Sequence, residues 1–146
     1  MQRLEQLNNG NDVAMLSIGD ISVYSTFSYI MNIICESGFE CEIVPGVPSF
    51  CAAAAKLKQS LTTRKKPLII IPGGYKGVDE LLAEEGTKVI MKSASELENV
   101  IETIKEKNIE NKASIVQNCG LENEKIVKNI NDEINSSYFT TILIKE

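Results

Sequence analysis

Residues 13–20 read Val13-Ala14-Met15-Leu16-Ser17-Ile18-Gly19-Asp20, and this stretch, with the helix pattern behind it, decides the fold class. A short, near-continuous apolar run is the mark of a strand buried on both faces, and Gly19-Asp20 ends it abruptly. Phe27, Ile30, Met31 and Ile34 then recur at i, i+3, i+4 and i+7, so residues 25–37 are predicted to form an amphipathic helix closed by Gly38. Buried strand, turn and helix in that order make one α/β unit. Upstream, Leu4 and Leu7 lie one helical turn apart, and Gly10 comes next as a C-terminal cap.

The alternation continues to the last residues. Cys41-Glu42-Ile43-Val44 reads as a strand running into Pro45-Gly46, and the alanine-rich Ser49–Lys58 as a helix. Pro67–Ile71, Thr87–Met91, Lys112–Val116 and Tyr138–Ile144 read as strands, and Val78–Glu84 as a short helix. Ser95 with Glu98 predicts a capping box for a helix whose buried stripe is Leu97, Val100, Ile101 and Ile104. A further helix is expected around Glu124–Ile130. Strands and helices in alternation mean α/β architecture with parallel or mixed sheets. Residues 59–66 carry no periodicity. They divide the chain into an N-terminal α/β domain over 1–60, a linker at 61–67 and a C-terminal α/β domain over 68–146.

Composition narrows the function. The chain has 146 residues and a net charge of −5, against the basic excess that neutralises nucleic-acid phosphates, so no nucleic-acid partner is expected. No apolar run approaches the ~20 residues that cross a bilayer, and the first residues lack the apolar core of a signal peptide, so a soluble cytoplasmic protein is expected. The four cysteines, Cys35, Cys41, Cys51 and Cys119, form no C-x-x-C pair and read as reduced, mostly buried thiols. Histidine is absent. That excludes a Ser-His-Asp triad, a histidine general base and a histidine-bound metal. The chemistry either needs little acid–base help from the protein or comes from a bound cofactor.

Four segments are candidates for it. Gly19-Asp20 sits at the carboxyl end of the first predicted strand, where open α/β sheets bind ligands through loop amides. Gly19 would admit a ligand close to the backbone, and Asp20 would accept from a hydroxyl or ammonium; the same pair also serves an ordinary strand-to-helix turn. Val44-Pro45-Gly46-Val47-Pro48-Ser49-Phe50-Cys51 combines a turn stiffened by two prolines with a helix start capped by Ser49, and the alanines behind it permit close packing. Pro72-Gly73-Gly74-Tyr75-Lys76-Gly77 is glycine-rich but matches no phosphate-loop spacing, and a surface turn accounts for it equally. Arg64-Lys65-Lys66 would attract an acidic substrate, or would simply hydrate the linker.

Taken in order, these segments resemble one family. LSIGDISVYSTFSYI (16–30), with IVPGVPSFCAAAA (43–55) after it, is similar to the tetrapyrrole (corrin/porphyrin) methylases, which carry a strand–GD segment and then a P-G-hydrophobic segment. Within them, YST after the GD pair, the run of alanines after Ser49-Phe50, VIMK at 89–92, Cys119-Gly120-Leu121 ahead of Glu124-Lys125-Ile126, and the final YFTTI most resemble the C20-methyltransferases of precorrin-2 or cobalt-factor II. The opening strand and G-x-G-P-G-D type loop of these enzymes have no match here. The resemblance therefore places residue 1 on a helix inside the first domain, with that domain lacking its N-terminal part.

The resemblance implies two α/β domains, S-adenosylmethionine as methyl donor in the cleft between them, a tetrapyrrole substrate and a homodimer. It carries cofactor contacts onto Gly19, Asp20, Val23, Pro48, Ser49, Met91 and Gly120. A carboxylate-rich macrocycle needs local positive charge, which Arg64, Lys65 and Lys66 would supply. No general base is assignable. The missing histidine fits, since the methyl of a sulfonium is already activated and the protein need only align donor and acceptor. Another ring-position methylase, or a non-catalytic ligand-binding α/β fragment, fits the same residues.

Overall fold

The apolar runs beyond residue 66 become the strands of one mixed sheet: β1 (Leu68–Pro72), β2 (Thr87–Met91), β3 (Ala113–Gln117), β4 (Lys125–Val127) and β5 (Thr140–Ile144). The order across the sheet is β1-β2-β5-β3-β4. β1 and β2 pair in parallel, and β5 lies antiparallel to both β2 and β3, so the last of the described strands is the middle of the sheet. The helices are α1 (Gln2–Asn8), α2 (Phe27–Glu36), α3 (Ser49–Lys56), α4 (Val78–Ala83) and α5 (Leu97–Glu106). The computed structural model describes residues 2–130 and 134–146. The α/β class read from the alternation holds.

Contacts group the chain into two units, Met1–Pro48 and Ser49–Glu146. In the second, strand alternation sorts side chains onto two faces. Ile71, Ile90, Ile115, Ile142 and Ile144 face α4 and α5, which contribute Val78, Leu82, Leu97, Val100 and Ile104. On the opposite face α3 lies against β5, with Phe50, Ala53 and Ala54 buried. The alanines let that helix approach closely. The expected linker 61–67 leads from α3 into β1 inside this unit.

Several expectations need correction. Residues 124–130 are not helical: Lys125–Val127 is β4, paired antiparallel with β3. Ile126 and Val127 are β-branched, and the open edge of β3 gives them a ladder to join. The capping box is not made, because α5 begins at Leu97 with Glu96 as its N-cap and no side-chain cap bond. A turn closed by Glu96 N–H on Ser93 O, at 2.9 Å, occupies the preceding residues. The cysteines are free as expected but not mostly buried: Cys35 and Cys51 are exposed, Cys41 and Cys119 half-buried.

The first unit carries α1 and α2. Among the described residues neither Val13–Ile18 nor Cys41–Val44 pairs into a sheet. Leu16 is 92% exposed and Ile18 76% exposed, so the burial on both faces expected of residues 13–18 is not met. A strand is made by its neighbours' hydrogen bonds as much as by its own residues, and here no described strand lies alongside. No helix of the described residues is long and apolar enough to cross a membrane.

Candidate active site

In the first unit the two turn segments singled out in the sequence lie against each other. Gly19 has φ +88°, the left-handed region that spares only glycine a steric cost. It aims the adjoining Asp20 back along its own turn. Asp20 Oδ1 accepts from the Ser22 amide at 2.8 Å and from the Ser22 hydroxyl. Oδ2 accepts from the Gly46 amide at 2.9 Å, across 26 residues. These bonds, the Ser22 hydroxyl first, hold the Asp20 carboxyl below its ordinary range. Val23 N–H closes the turn on Asp20 O at 3.3 Å. Val23 and Pro48 are half-buried.

In the second unit the carboxyl ends of β1, β2 and β3 lie at one end of the sheet, with the amino ends of β4 and β5. Pairing places Pro72, Met91, Thr141, Val116 and Ile126 in one row across all five strands. Ser49, at the start of α3, reaches that row, its Oγ 3.3 Å from Thr141 Oγ1. Gly120, with φ +80° and nothing within 4 Å of where a Cβ would stand, lies in the turn just beyond β3. Ser49, Met91 and Gly120 are thus gathered at one end of one sheet.

The turn holding Gly120 is braced by Glu124, whose Oε2 accepts the Gly120 amide at 2.6 Å and lies 3.1 Å from Lys56 Nζ at the end of α3. The Gly120 amide first, then the lysine, depress the Glu124 pKa. A carboxyl depressed in the folded state stabilises it above the ordinary carboxylate range, and that contribution is lost as pH falls through the depressed value. Glu124→Gln is therefore expected to flatten the acid limb of stability against pH. Urea midpoints between about pH 7 and about pH 3 would show it; parallel acid limbs would refute the brace.

A family model for "Tetrapyrrole (Corrin/Porphyrin) Methylases" matches residues 1–134. The chain belongs to that family. It is 36% identical over 137 residues, 94% of its length, to the probable cobalt-precorrin-2 C(20)-methyltransferase of Methanocaldococcus jannaschii, and it spans 58% of that relative. Its fold is similar to the crystal structure of a cobalt precorrin-4 methyltransferase, with TM-score 0.84, 21% identity, and coverage of 99% of this chain and 68% of the other. It is also similar to uroporphyrin-III C-methyltransferase of Thermus thermophilus in complex with S-adenosyl homocysteine, with TM-score 0.75, 16% identity, and coverage of 99% and 71%.

For a tetrapyrrole methylase, the arrangement sorts the sequence candidates. Gly19, Asp20 and Val23 share the first unit's paired turns with Gly46, and Ser49, Met91 and Gly120 share the sheet end. Arg64, Lys65 and Lys66 join neither group: they precede β1, at the opposite end of the sheet from Met91 and Gly120. Lys66 already pairs with Glu146 at 2.5 Å. Sequence reading used Thr141 and Glu124 only within motifs of the family resemblance and assigned neither to the site. Thr140-Thr141 inside the apolar run Phe139–Ile144 is the signal that would have flagged the first, two hydroxyls at strand positions that are otherwise core.

Proposed function

We propose that this chain carries the donor-binding portion of an S-adenosylmethionine-dependent methyltransferase that methylates C20 of precorrin-2 or cobalt-factor II in corrin biosynthesis. The observation that carries the reading is 36% identity, over nearly the whole chain, to a relative named for cobalt-precorrin-2 C20 methylation. S-Adenosyl homocysteine in a uroporphyrin-III methylase of similar fold supports the cofactor.

The residues present suit such a donor. Gly19 and Gly120 are glycines at positive φ, and nothing stands closer than 3.8 Å to the place of a side chain at either, which leaves backbone open to approach. Ser49 and Thr141 offer hydroxyls, and Met91 an apolar, polarisable edge. We assign cofactor contacts to Gly19, Asp20, Val23, Pro48, Ser49, Met91 and Gly120. S-Adenosylmethionine supplies a methyl already activated on a sulfonium. The chain's own residues then need only bind, orient and exclude water, a task within reach of a protein without histidine. Action in the cytoplasm, as a homodimer, belongs to the same proposal.

The test is turnover with precorrin-2 and with cobalt-factor II, the new methyl being located by NMR of the product. A C20 methyl supports the proposal. A methyl at another ring carbon overturns the C20 assignment and favours a different position of the same macrocycle. Where neither substrate turns over, calorimetric titration with S-adenosylhomocysteine decides: micromolar one-to-one binding upholds the donor-binding role, and no binding by the folded chain overturns it.

A further inference from the structure

Asp20 is the most heavily engaged side chain of the first unit, and its partners define what it is free to do. An ionised carboxylate offers about four acceptor positions. Asp20 gives two to Ser22, through its amide at 2.8 Å and its hydroxyl, and a third to the Gly46 amide at 2.9 Å. The Gly46 bond joins segments that are otherwise distant in sequence. At that junction the two backbones touch directly: a Cβ on Gly46 would stand 2.1 Å from Gly19 O, 3.0 Å from Gly19 C and 3.4 Å from Asp20 Cα. Backbone cannot yield as a flexible side chain can, so only glycine fits there. On the other side, Val47 O is the nearest atom to the position a Gly19 Cβ would take, at 3.8 Å. Gly19-Asp20 and Gly46-Val47 interlock, and the Asp20 carboxylate is the bolt.

We propose that Asp20 is a positioning residue, fastening the 44–48 segment to the 18–25 turn and acting on the bound donor through Gly46 rather than by touching it. The inference deepens the donor-binding reading above, replaces the direct contact assigned there to Asp20 with one made through Gly46, and rests on that reading for its affinity arm. It has two consequences for the site. The carboxylate spends its acceptor capacity on protein donors, leaving little for a ligand hydroxyl or ammonium. And the turn that runs to Pro48 is held at its Gly46 amide, so its geometry depends on a residue far upstream.

Asparagine at position 20 separates the two jobs. Its single carbonyl oxygen keeps the Ser22 turn, an arrangement asparagine makes as readily as aspartate, while its amide nitrogen then faces the Gly46 N–H, donor against donor. The first readout is amide exchange at Gly46, monitored by NMR in the full 146-residue chain. Asp20→Asn is expected to speed exchange at Gly46 about tenfold or more, with the far-ultraviolet circular dichroism and urea midpoint little changed. Unchanged protection at Gly46 overturns the proposal, whether or not the chain binds any donor.

The second readout is a double-mutant cycle on S-adenosylhomocysteine affinity by calorimetry. Asp20→Asn and Gly46→Ala are each expected to weaken binding about tenfold or more, and the double variant no more than about threefold beyond the weaker single one. Multiplicative losses would mean that Asp20 contacts the ligand independently, which overturns the proposal. If Gly46→Ala does not fold, the exchange measurement on Asp20→Asn decides alone. If the unmutated chain does not bind S-adenosylhomocysteine, the donor-binding reading fails, and the exchange result still decides the bolt.

Discussion

Ile142→Ala is expected to lower the unfolding free energy of the sheet unit by about 4 kcal/mol, near the upper part of the range for a large-to-small core change. Ile142 has no exposed surface and sits at the middle of β5, paired with Ile90 on one side and Ile115 on the other. Those two isoleucines are also fully buried, so the void left by the lost methyl and methylene groups is ringed by branched side chains, stiff at χ1. The α4 and α5 side chains close it from above. Since domains carry only ~5–15 kcal/mol in total, such a loss would leave a large unfolded fraction at modest urea concentration. Ile126→Ala, on β4 at 39% exposure, serves as the control and is expected to cost less than about 1 kcal/mol. Similar urea midpoints for the two variants would contradict the placement of the core.

Gly86→Ala is the second large effect, expected at about 3 kcal/mol by the same measurement, with two causes that can be separated. The residue has φ +107°, where a Cβ is strained, and that Cβ would stand 2.4 Å from Pro67 O and 2.7 Å from Pro67 Cγ. Conformational strain alone is ~1–2 kcal/mol, and forcing atoms into packed surroundings ~1–3 kcal/mol. Gly120→Ala carries the first cost without the second, because φ is +80° and nothing lies within 4 Å. Gly74→Ala meets open space and has no positive φ to strain it. The expected ranking of destabilisation is Gly86, then Gly120, then Gly74. Equal losses at Gly86 and Gly120 would show that Pro67 moves aside freely.

What was legible in the sequence depended on whether an element carried its own reasons. Thr87–Met91 reads as a strand and is one, its apolar residues taken up between β1 and β5. The stripe Leu97, Val100 and Ile104 is likewise intrinsic to the α5 segment. Val13–Ile18 has the same apolar character yet no partner strand among the described residues, so composition alone could not make the ladder. Lys125–Val127 shows the converse, a segment expected as helix that the edge of β3 claims as a strand. At the candidate site, Gly19, Asp20 and Ser49 stood out by turn and cap chemistry. Their pairings did not, since Asp20 meets Gly46 26 residues on and Ser49 meets Thr141 92 residues on. Contacts of that span are set by topology, and turn or helix periods do not register them.

The placement of β5 between β2 and β3 also governs how the protein can be made. On the ribosome, β1 and β2 emerge and can pair early, and β3 can fold back with β4. Neither pair can be joined to the other until residues 140–144 have cleared the exit tunnel. Until then the inner edges of β2 and β3, apolar and unpaired, stay open to solvent, the state in which nascent chains recruit chaperones or aggregate. Sheet closure waits on β5, and a released chain ending before residue 140 should hold two separate strand pairs in place of a folded sheet.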